Sequence, residues 1–263
     1  MKIHINTHGF VRFVDSMPSQ NLDESIVESA RVSYSTGTTT SRSSRGLIRY
    51  LLRNWHTTPF EMVEFKFHLK MPLFVARQWM RHRTASVNET SARYSVVPNE
   101  FYTPQTYRLQ SQVNKQGSYG EVDTVYDMSG EAKKIGDAAF ELYDLMLNYE
   151  CCREQSRCHL PQSTYTEFYW KINLHNLMHF LHLRMDHHAQ KEIRDYACAV
   201  YQLVEGLAPH TFEAFRDFRL NSIQLSGPEL EALREKKHLE SPGENREFLE
   251  KLEKMGISPT TLS

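Results

Sequence analysis

Seven consecutive residues, Glu64-Phe65-Lys66-Phe67-His68-Leu69-Lys70, alternate polar and apolar without a break. Side chains of a strand point to opposite faces in turn, so this run reads as a half-buried β-strand with one dry and one wet side. The dry side needs a cover, and the rest of the chain supplies helices rather than more sheet. Lys2 to Ile5 and Phe10 to Val14, with Gly9 between them, read as a hairpin. A helix opens at Asn21-Leu22-Asp23-Glu24 and runs to about Ser33, and helical spacing returns from Leu47 to Trp55. Pro72 sits where a first helical turn tolerates it, and Leu73 to Arg81 follows as a helix. Helical pattern resumes from Glu131 to about Cys152, then from near Pro161 past Arg184, from Gln190 to Glu205 and from Pro209 to Arg219. Neither an alternating βαβ pattern nor a Gly-rich dinucleotide fingerprint is present. The expected class is α+β: a small antiparallel or mixed sheet with long helices packed on it, as a single domain.

Between these elements lie segments with no period. Tyr34 to Arg45 is rich in Ser, Thr and Gly and reads as a mobile loop or a lid. Asn99 to Gly130 carries Pro104, Gly117, Gly120 and Gly130 and reads as a long surface excursion. Beyond Ser226 the chain is charge-rich, with amphipathic pieces around Pro228 to Lys236 and Glu244 to Met255. Residues 1–220 are therefore expected to form the main domain and 221–263 a charged, partly helical tail.

Composition narrows the class of function mainly by exclusion. A net charge of -1 over 263 residues gives no global pull toward nucleic acid or an anionic membrane, so any anion site must be local. No stretch approaches the roughly 20 apolar residues that span a bilayer, and Met1 to Asn6 has no apolar run of the secretory kind. Cys151, Cys152, Cys158 and Cys198 lack disulfide-framework spacing, which fits a reducing compartment, and the expected location is cytoplasmic.

The chemistry-bearing stretch is Arg81-His82-Arg83-Thr84-Ala85-Ser86-Val87-Asn88-Glu89-Thr90-Ser91-Ala92-Arg93-Tyr94. It leaves the end of a helix and gathers arginines, serines, an Asn and a Glu in one short segment. Arginine suits planar, bidentate capture of phosphate or carboxylate, and serine hydroxyls and turn amides add donors around the same anion. Gln78 lies one turn before Arg81 and faces the same way. Glu89 could orient an Arg or accept from a ribose hydroxyl. Two readings stand at this point: a nucleotide site, or an exposed basic turn with ordinary ion pairs.

Arg81-His82-Arg83 followed by seven residues and then Ser91 resembles the signature of the flavin-dependent thymidylate synthases. The similarity continues in order through His56-Thr57-Thr58-Pro59-Phe60-Glu61 and through Arg157-Cys158-His159-Leu160-Pro161 with Tyr165-Thr166, Phe168 and Asn173 as the lead-in to a long helix. It ends with His179-Phe180, Leu183-Arg184, Ala189-Gln190 and Glu192-Ile193-Arg194. It spans roughly Ile3 to Phe218. The resemblance implies conversion of dUMP to dTMP with 5,10-methylenetetrahydrofolate as carbon donor, FAD as hydride carrier and NADPH as its reductant. It implies dUMP binding by Gln78, Arg81, Glu89, Thr90, Ser91, Ala92, Arg93, Arg157 and Arg184. FAD contacts are implied for His56, Thr58, Arg81, His82, Arg83, Asn88, Glu89, Asn173, His175 and His179. His175 stands where the family often has Arg, and His179 where Asn or His occurs.

The implied catalytic residue is Arg184, a cation that stays charged at any working pH. Placed beside the uracil O2, N3 and O4 edge, it favours the N3-ionised form and enriches C5. None of the four cysteines lies in the motif, so a cysteine nucleophile is not required. Ser91 reads as a phosphate ligand rather than a nucleophile, because no His–carboxylate pair is visibly placed to deprotonate it. On the long helix Asn173 and Arg184 share one face, His175, His179, His182 and Asp186 form a second polar stripe, and leucines run between. Two stripes suit burial between subunits, and the family is a homotetramer with shared active sites. A metal-dependent hydrolase built on His175, His179, His182 and Asp186 is the rival reading. No HExxH or paired CxxC occurs, so no metal is expected. A nucleic-acid module using the arginines with Tyr94, Tyr102 and Tyr107 is a third reading, opposed by the neutral charge. Small-molecule substrates, without nucleic acid or membrane, are the expected partners.

Overall fold

The alternating segment is the middle strand of a five-stranded antiparallel sheet. The computed structural model describes residues 1–33, 43–112, 117–258 and 262. It contains strands β1 (Lys2–Ile5), β2 (Gly9–Met17), β3 (Glu64–Pro72) and β4 (Ser86–Glu89), a short ribbon of β5 (Leu109–Gln110) with β6 (Ser118–Tyr119), and β7 (Tyr165–Asn173). The main sheet runs β1-β2-β3-β7-β4. Register explains the layering: Phe67 lies between Phe13 of β2 and Trp170 of β7, and Leu69 between Val11 and Phe168. Phe65, Phe67, Leu69 and Met71 are wholly buried, whereas Lys66 on the other face is exposed.

Helices α1 (Leu22–Arg31), α2 (Ser44–Arg53), α3 (Thr58–Glu61), α4 (Leu73–Trp79), α5 (Met128–Asn148), α6 (Arg153–Ser156), α7 (Leu174–Arg184), α8 (Lys191–Val204) and α9 (Pro209–Phe215) accompany the sheet. Helix α4 packs on β3 and β7, and α8 on β1, β2, α4 and α7. Where α4 and α7 meet, the rings of Trp79, Trp170 and Phe180 lie within 4.3 to 5.1 Å of one another. All three are fully buried, and each contributes about 2–3 kcal/mol relative to an exposed ring. A second group, α1, α2 and α9, is tied by Asp23. This buried carboxylate accepts from the backbone of His210 and Thr211 and from the Thr211 hydroxyl, at 2.8, 3.1 and 2.6 Å.

The chain forms two compact units, Met1–Phe215 and Arg216–Ser263. The second holds a π-helical turn (Arg216–Leu220), α10 (Gly227–Glu235) and α11 (Pro242–Lys254). Ala232, Phe248 and Leu252 form its core. A capping box of Ser226 and Glu229 starts α10, and Lys251 reaches back to Glu229 at 2.7 Å.

Several expectations hold: the hairpin, α1, α2, β3, α4, α8 and the α+β class with an antiparallel sheet. Others are corrected. The segment from Pro161 to Arg184 is not one helix, because Tyr165–Asn173 is β7 and α7 begins only at Leu174. From Phe168 to Ile172 the burial alternates residue by residue, and Phe, Tyr, Trp and Ile suit a pleated surface. Asn173 therefore does not share a helical face with Arg184. It caps α7, its Oδ1 accepting from Asn176 N at 2.9 Å, and Asp186 lies beyond the helix end. The arginine-rich segment contains an edge strand, β4, rather than only a turn. The 99–130 excursion is pinned by a bridge between Phe101 and Thr164 and carries the β5–β6 ribbon. Of the expected loop at Tyr34 to Arg45, residues 34–42 lie outside the described residues.

Candidate active site

Two antiparallel neighbours, β3 and β7, each lead directly into a helix, and this sets the first cluster. At the C-terminal end of α4 the chain presents Gln78, then Arg81, His82 and Arg83. The last turn of α7 presents Arg184 against them. Arg184 Nε donates to His82 Nε2 at 2.9 Å, and Arg184 Nη2 makes a longer contact, 3.4 Å, to the Gln78 carbonyl. The His82 ring stands edge-on to Phe180 at 4.9 Å and to His179 at 6.2 Å.

Electrostatics settles the proton on this ring. Burial, then the charge of Arg184, then His179, push the His82 pKa from 6.5 down to about 4. The imidazole is neutral at ordinary pH. Arginine has no acceptor, so Nε2 must receive and the ring hydrogen is assigned to Nδ1. Burial also lowers the Arg184 pKa, but a guanidinium remains charged. A cation is thus anchored at two of its five N–H groups, with the rest of its fork uncommitted among the described residues.

The second cluster is the loop after β4. Ser91 Oγ accepts from the Arg93 backbone at 3.3 Å, and the Ser91 carbonyl accepts from Tyr94 and Ser95. Helix α6 clamps this loop: Arg93 pairs with Glu154 at 3.1 Å, and Arg153 donates to the Tyr94 carbonyl at 2.9 Å. Arg157 follows on the next turn, exposed. Glu89, read as able to orient an Arg or accept from a ribose hydroxyl, accepts from Thr166 Oγ1 at 2.5 Å through one of its two oxygens. Thr90 N donates to the Glu167 carbonyl, and Ala92 offers only its backbone and methyl to this loop.

The remaining predicted residues are distributed around these two clusters. Asn88 lies on the exposed edge strand opposite Tyr169. His56 stands edge-on to Tyr50 at 5.6 Å just before α3, which Thr58 opens and which packs on α7. His175 and His179 stand one turn apart on α7, after Asn173. Among the described residues, the Arg81 and Arg83 side chains are exposed and make no hydrogen bond or ion pair, so both cations are available to an anionic group such as a dinucleotide pyrophosphate. No hydrogen bond joins Gln78, His82 or Arg184 to Ser91, Arg93 or Arg157 among the described residues. The rival metal set is not brought together: Asp186, His187 and His188, all exposed, are the described group within reach of a common ion, and His175, His179 and His182 are not part of it. No helix among the described residues is long and apolar enough to cross a membrane.

Sequence reasoning missed Arg153 and Glu154, which sit immediately before the Arg157 motif, the available signal. Thr166 and Glu192 stand within the motifs of the resemblance, but their bonds to Glu89 and Arg108 cross 77 and 84 residues, and nothing local in the sequence points to those partners.

Residues 12–210 match the model of a family described as thymidylate synthase complementing protein. The flavin-dependent thymidylate synthase of Dictyostelium discoideum is 48% identical over 242 residues, covering 89% of this chain and 80% of that protein. That of Thermus thermophilus is 49% identical over 236 residues, covering 89% and 85%. Among solved structures, the UMP/dUMP methylase PolB from Streptomyces cacaoi bound with 5-Br dUMP is similar with a TM-score of 0.73 at 35% identity, covering 82% of this chain and 98% of that one.

Proposed function

The chain belongs to the thymidylate synthase complementing protein family, the flavin-dependent thymidylate synthases, and we propose that it methylates dUMP to dTMP with 5,10-methylenetetrahydrofolate as the carbon donor. It is a methyltransferase. The observation that carries the substrate reading is the anchored cation: Arg184, held by His82 and Gln78, points a partly buried guanidinium into the Arg-His-Arg region.

Replacing hydrogen by methyl at C5 of uracil requires electron density at C5. Arg184 beside the O2–N3–O4 edge stabilises the negative charge that develops there. Because its Nε is fixed by His82, the terminal nitrogens can meet the base without first losing side-chain freedom. Gln78, Ser91, Arg93 and Arg157 hold the sugar and phosphate, with Arg81, Glu89, Thr90 and Ala92 completing the pocket. Ser91 serves as a ligand: its hydroxyl accepts from a backbone amide, and among the described residues no base is hydrogen-bonded to it to take its proton.

His56, Thr58, Arg81, His82, Arg83, Asn88, Glu89, Asn173, His175 and His179 would hold FAD. Two exposed arginines, Arg81 and Arg83, whose side chains have no partner among the described residues, and a neutral imidazole carrying Nδ1–H fit the pyrophosphate and polar edge of such a group. When bound and reduced by NADPH, FAD supplies the hydride that takes the transferred carbon from methylene to methyl. That no hydrogen bond among the described residues joins the two clusters within one chain supports a homotetramer whose sites combine subunits. Residues 1–220 form the catalytic domain in this reading, the charged tail 221–263 stands outside it, and the protein works in the cytoplasm.

The test is product formation. Purified protein given dUMP, 5,10-methylenetetrahydrofolate and NADPH should yield dTMP, identified by mass spectrometry, only when FAD is present. Equal yield from protein stripped of flavin, or no dTMP under any of these conditions, would overturn the reading.

A further inference from the structure

Glu192 lies in the first turn of α8 and is almost wholly buried. A buried carboxylate must be fully partnered, and this one is. Arg108 Nη2 meets both oxygens at 2.9 and 3.1 Å, Tyr102 Oη donates to Oε1 at 3.2 Å, and Gln190 Nε2 donates to Oε2 at 2.8 Å. Burial raises its pKa. The backbone and Gln190 hydrogen bonds and Arg108 outweigh that and hold it below the usual carboxylate range, so it is ionised at working pH.

An ionised carboxylate accepts on both oxygens and donates nothing. The group of Gln190 that faces it must therefore be the amide nitrogen, which resolves an orientation that side-chain shape alone leaves ambiguous. Gln190 then turns its Oε1 to Gln78, whose Nε2 donates to it at 2.6 Å. The Gln78 amide nitrogen is thereby directed to Gln190, and the Gln78 backbone carbonyl lies 3.4 Å from Arg184 Nη2. One buried charge thus dictates the donor–acceptor sense of two successive amides, and the relay ends at Gln78 of α4, whose backbone carbonyl meets Arg184.

We infer that Glu192 is a positioning residue for the nucleotide pocket, acting through Gln190 on Gln78. The inference rests on the dUMP reading of that pocket and extends it to residues outside the sets assigned to dUMP and FAD. Fixing the Gln78 amide before substrate arrives removes an ordering cost that dUMP would otherwise bear. The effect belongs to nucleotide affinity rather than to flavin binding.

Gln190 is exposed, so Gln190→Met breaks the relay while leaving Glu192 with Arg108 and Tyr102. Calorimetric titration of FAD-loaded protein with dUMP would compare wild type, Gln190→Met, Gln78→Met and the double variant. Gln190→Met should weaken dUMP about fivefold, the scale of one net hydrogen bond, with FAD affinity unchanged. The double variant should bind dUMP no more weakly than Gln78→Met, because the two act in series. Glu192→Gln, which keeps an acceptor for Arg108 but can turn a donor onto Gln190, should match Gln190→Met; if it fails to fold, the Gln190 cycle decides alone. Wild-type dUMP affinity in Gln190→Met, additive losses in the double variant, or an equal loss of FAD affinity would overturn the inference. Wild-type protein that binds no dUMP would instead overturn the function itself.

Discussion

Replacing His82 by Gln should make the protein less sensitive to acid, and by an amount the structure bounds. The unfolded ring takes a proton near its ordinary pKa of 6.5, whereas the folded ring resists until about 4. Between those values the unfolded state binds the extra proton, so stability falls as pH drops through this window and then levels off. In a sealed site the depression from 6.5 to about 4, at ~1.36 kcal/mol per pH unit, would amount to about 3 kcal/mol. The ring is only half-buried, and solvent screening reduces this to about 1–2 kcal/mol. Gln can still accept from Arg184 Nε with its Oε1 but cannot titrate, so it preserves the geometry and removes the proton. Urea unfolding followed by tryptophan fluorescence reads the core beside this ring, since Trp79 packs on Phe180 at 4.3 Å and His82 on the same Phe180. At fixed protein concentration, wild type should lose about 1–2 kcal/mol more than His82→Gln between about pH 7 and about pH 4.5. Parallel pH profiles would contradict a half-buried His82 imidazole that resists protonation in the folded protein.

Two further predictions concern the scaffold. Asp23→Ala leaves the amides of His210 and Thr211 and the Thr211 hydroxyl without their shared acceptor, and should cost about 2–4 kcal/mol in denaturant unfolding; a loss under about 0.5 kcal/mol would contradict the burial argument. In Gly9→Ala the new Cβ would overlap Tyr196 Oη and lie 2.6 Å from the Ile5 carbonyl, with an expected cost of about 1–3 kcal/mol. Adding Tyr196→Phe should recover part of that loss, although it forfeits the bond from Tyr196 Oη to the Lys70 carbonyl at 2.9 Å, and an unaltered unfolding midpoint for Gly9→Ala would refute the close approach.

How much of this was legible in the sequence depends on whether a feature is local. The alternation of Glu64 to Lys70 is local, and β3 was read correctly with the sheet class. The Arg81–Ser91 string is also local, and it identified the family and the neighbourhood of Arg184. Strand β7 was read as helix because no loop marks its end. Asn173 is both its last residue and the cap of α7, and the apolar Leu174, Leu177 and Phe180 continue the hydrophobic run without a break. Strand β4 was invisible for the opposite reason: its four residues are exposed and carry no burial pattern, and its partner lies about 80 residues away. The bonds that organise the site join residues 102 and 112 positions apart, His82 to Arg184 and Gln78 to Gln190. Spacing could not have revealed them.

Arg184 is where the account stands or falls, and tritium release measures it directly. Methylation at C5 must expel the hydrogen there, so dUMP carrying tritium at C5 should release it only with FAD, NADPH and 5,10-methylenetetrahydrofolate present. At saturating dUMP, Arg184→Ala should lower kcat about 10²–10³-fold, the scale of one preorganised charge-stabilising group. Arg184→Lys should not restore it, because a point charge cannot satisfy His82, the Gln78 carbonyl and the base edge together. Near-normal kcat in both variants, with only KM for dUMP raised, would mean that Arg184 binds the nucleotide without activating it.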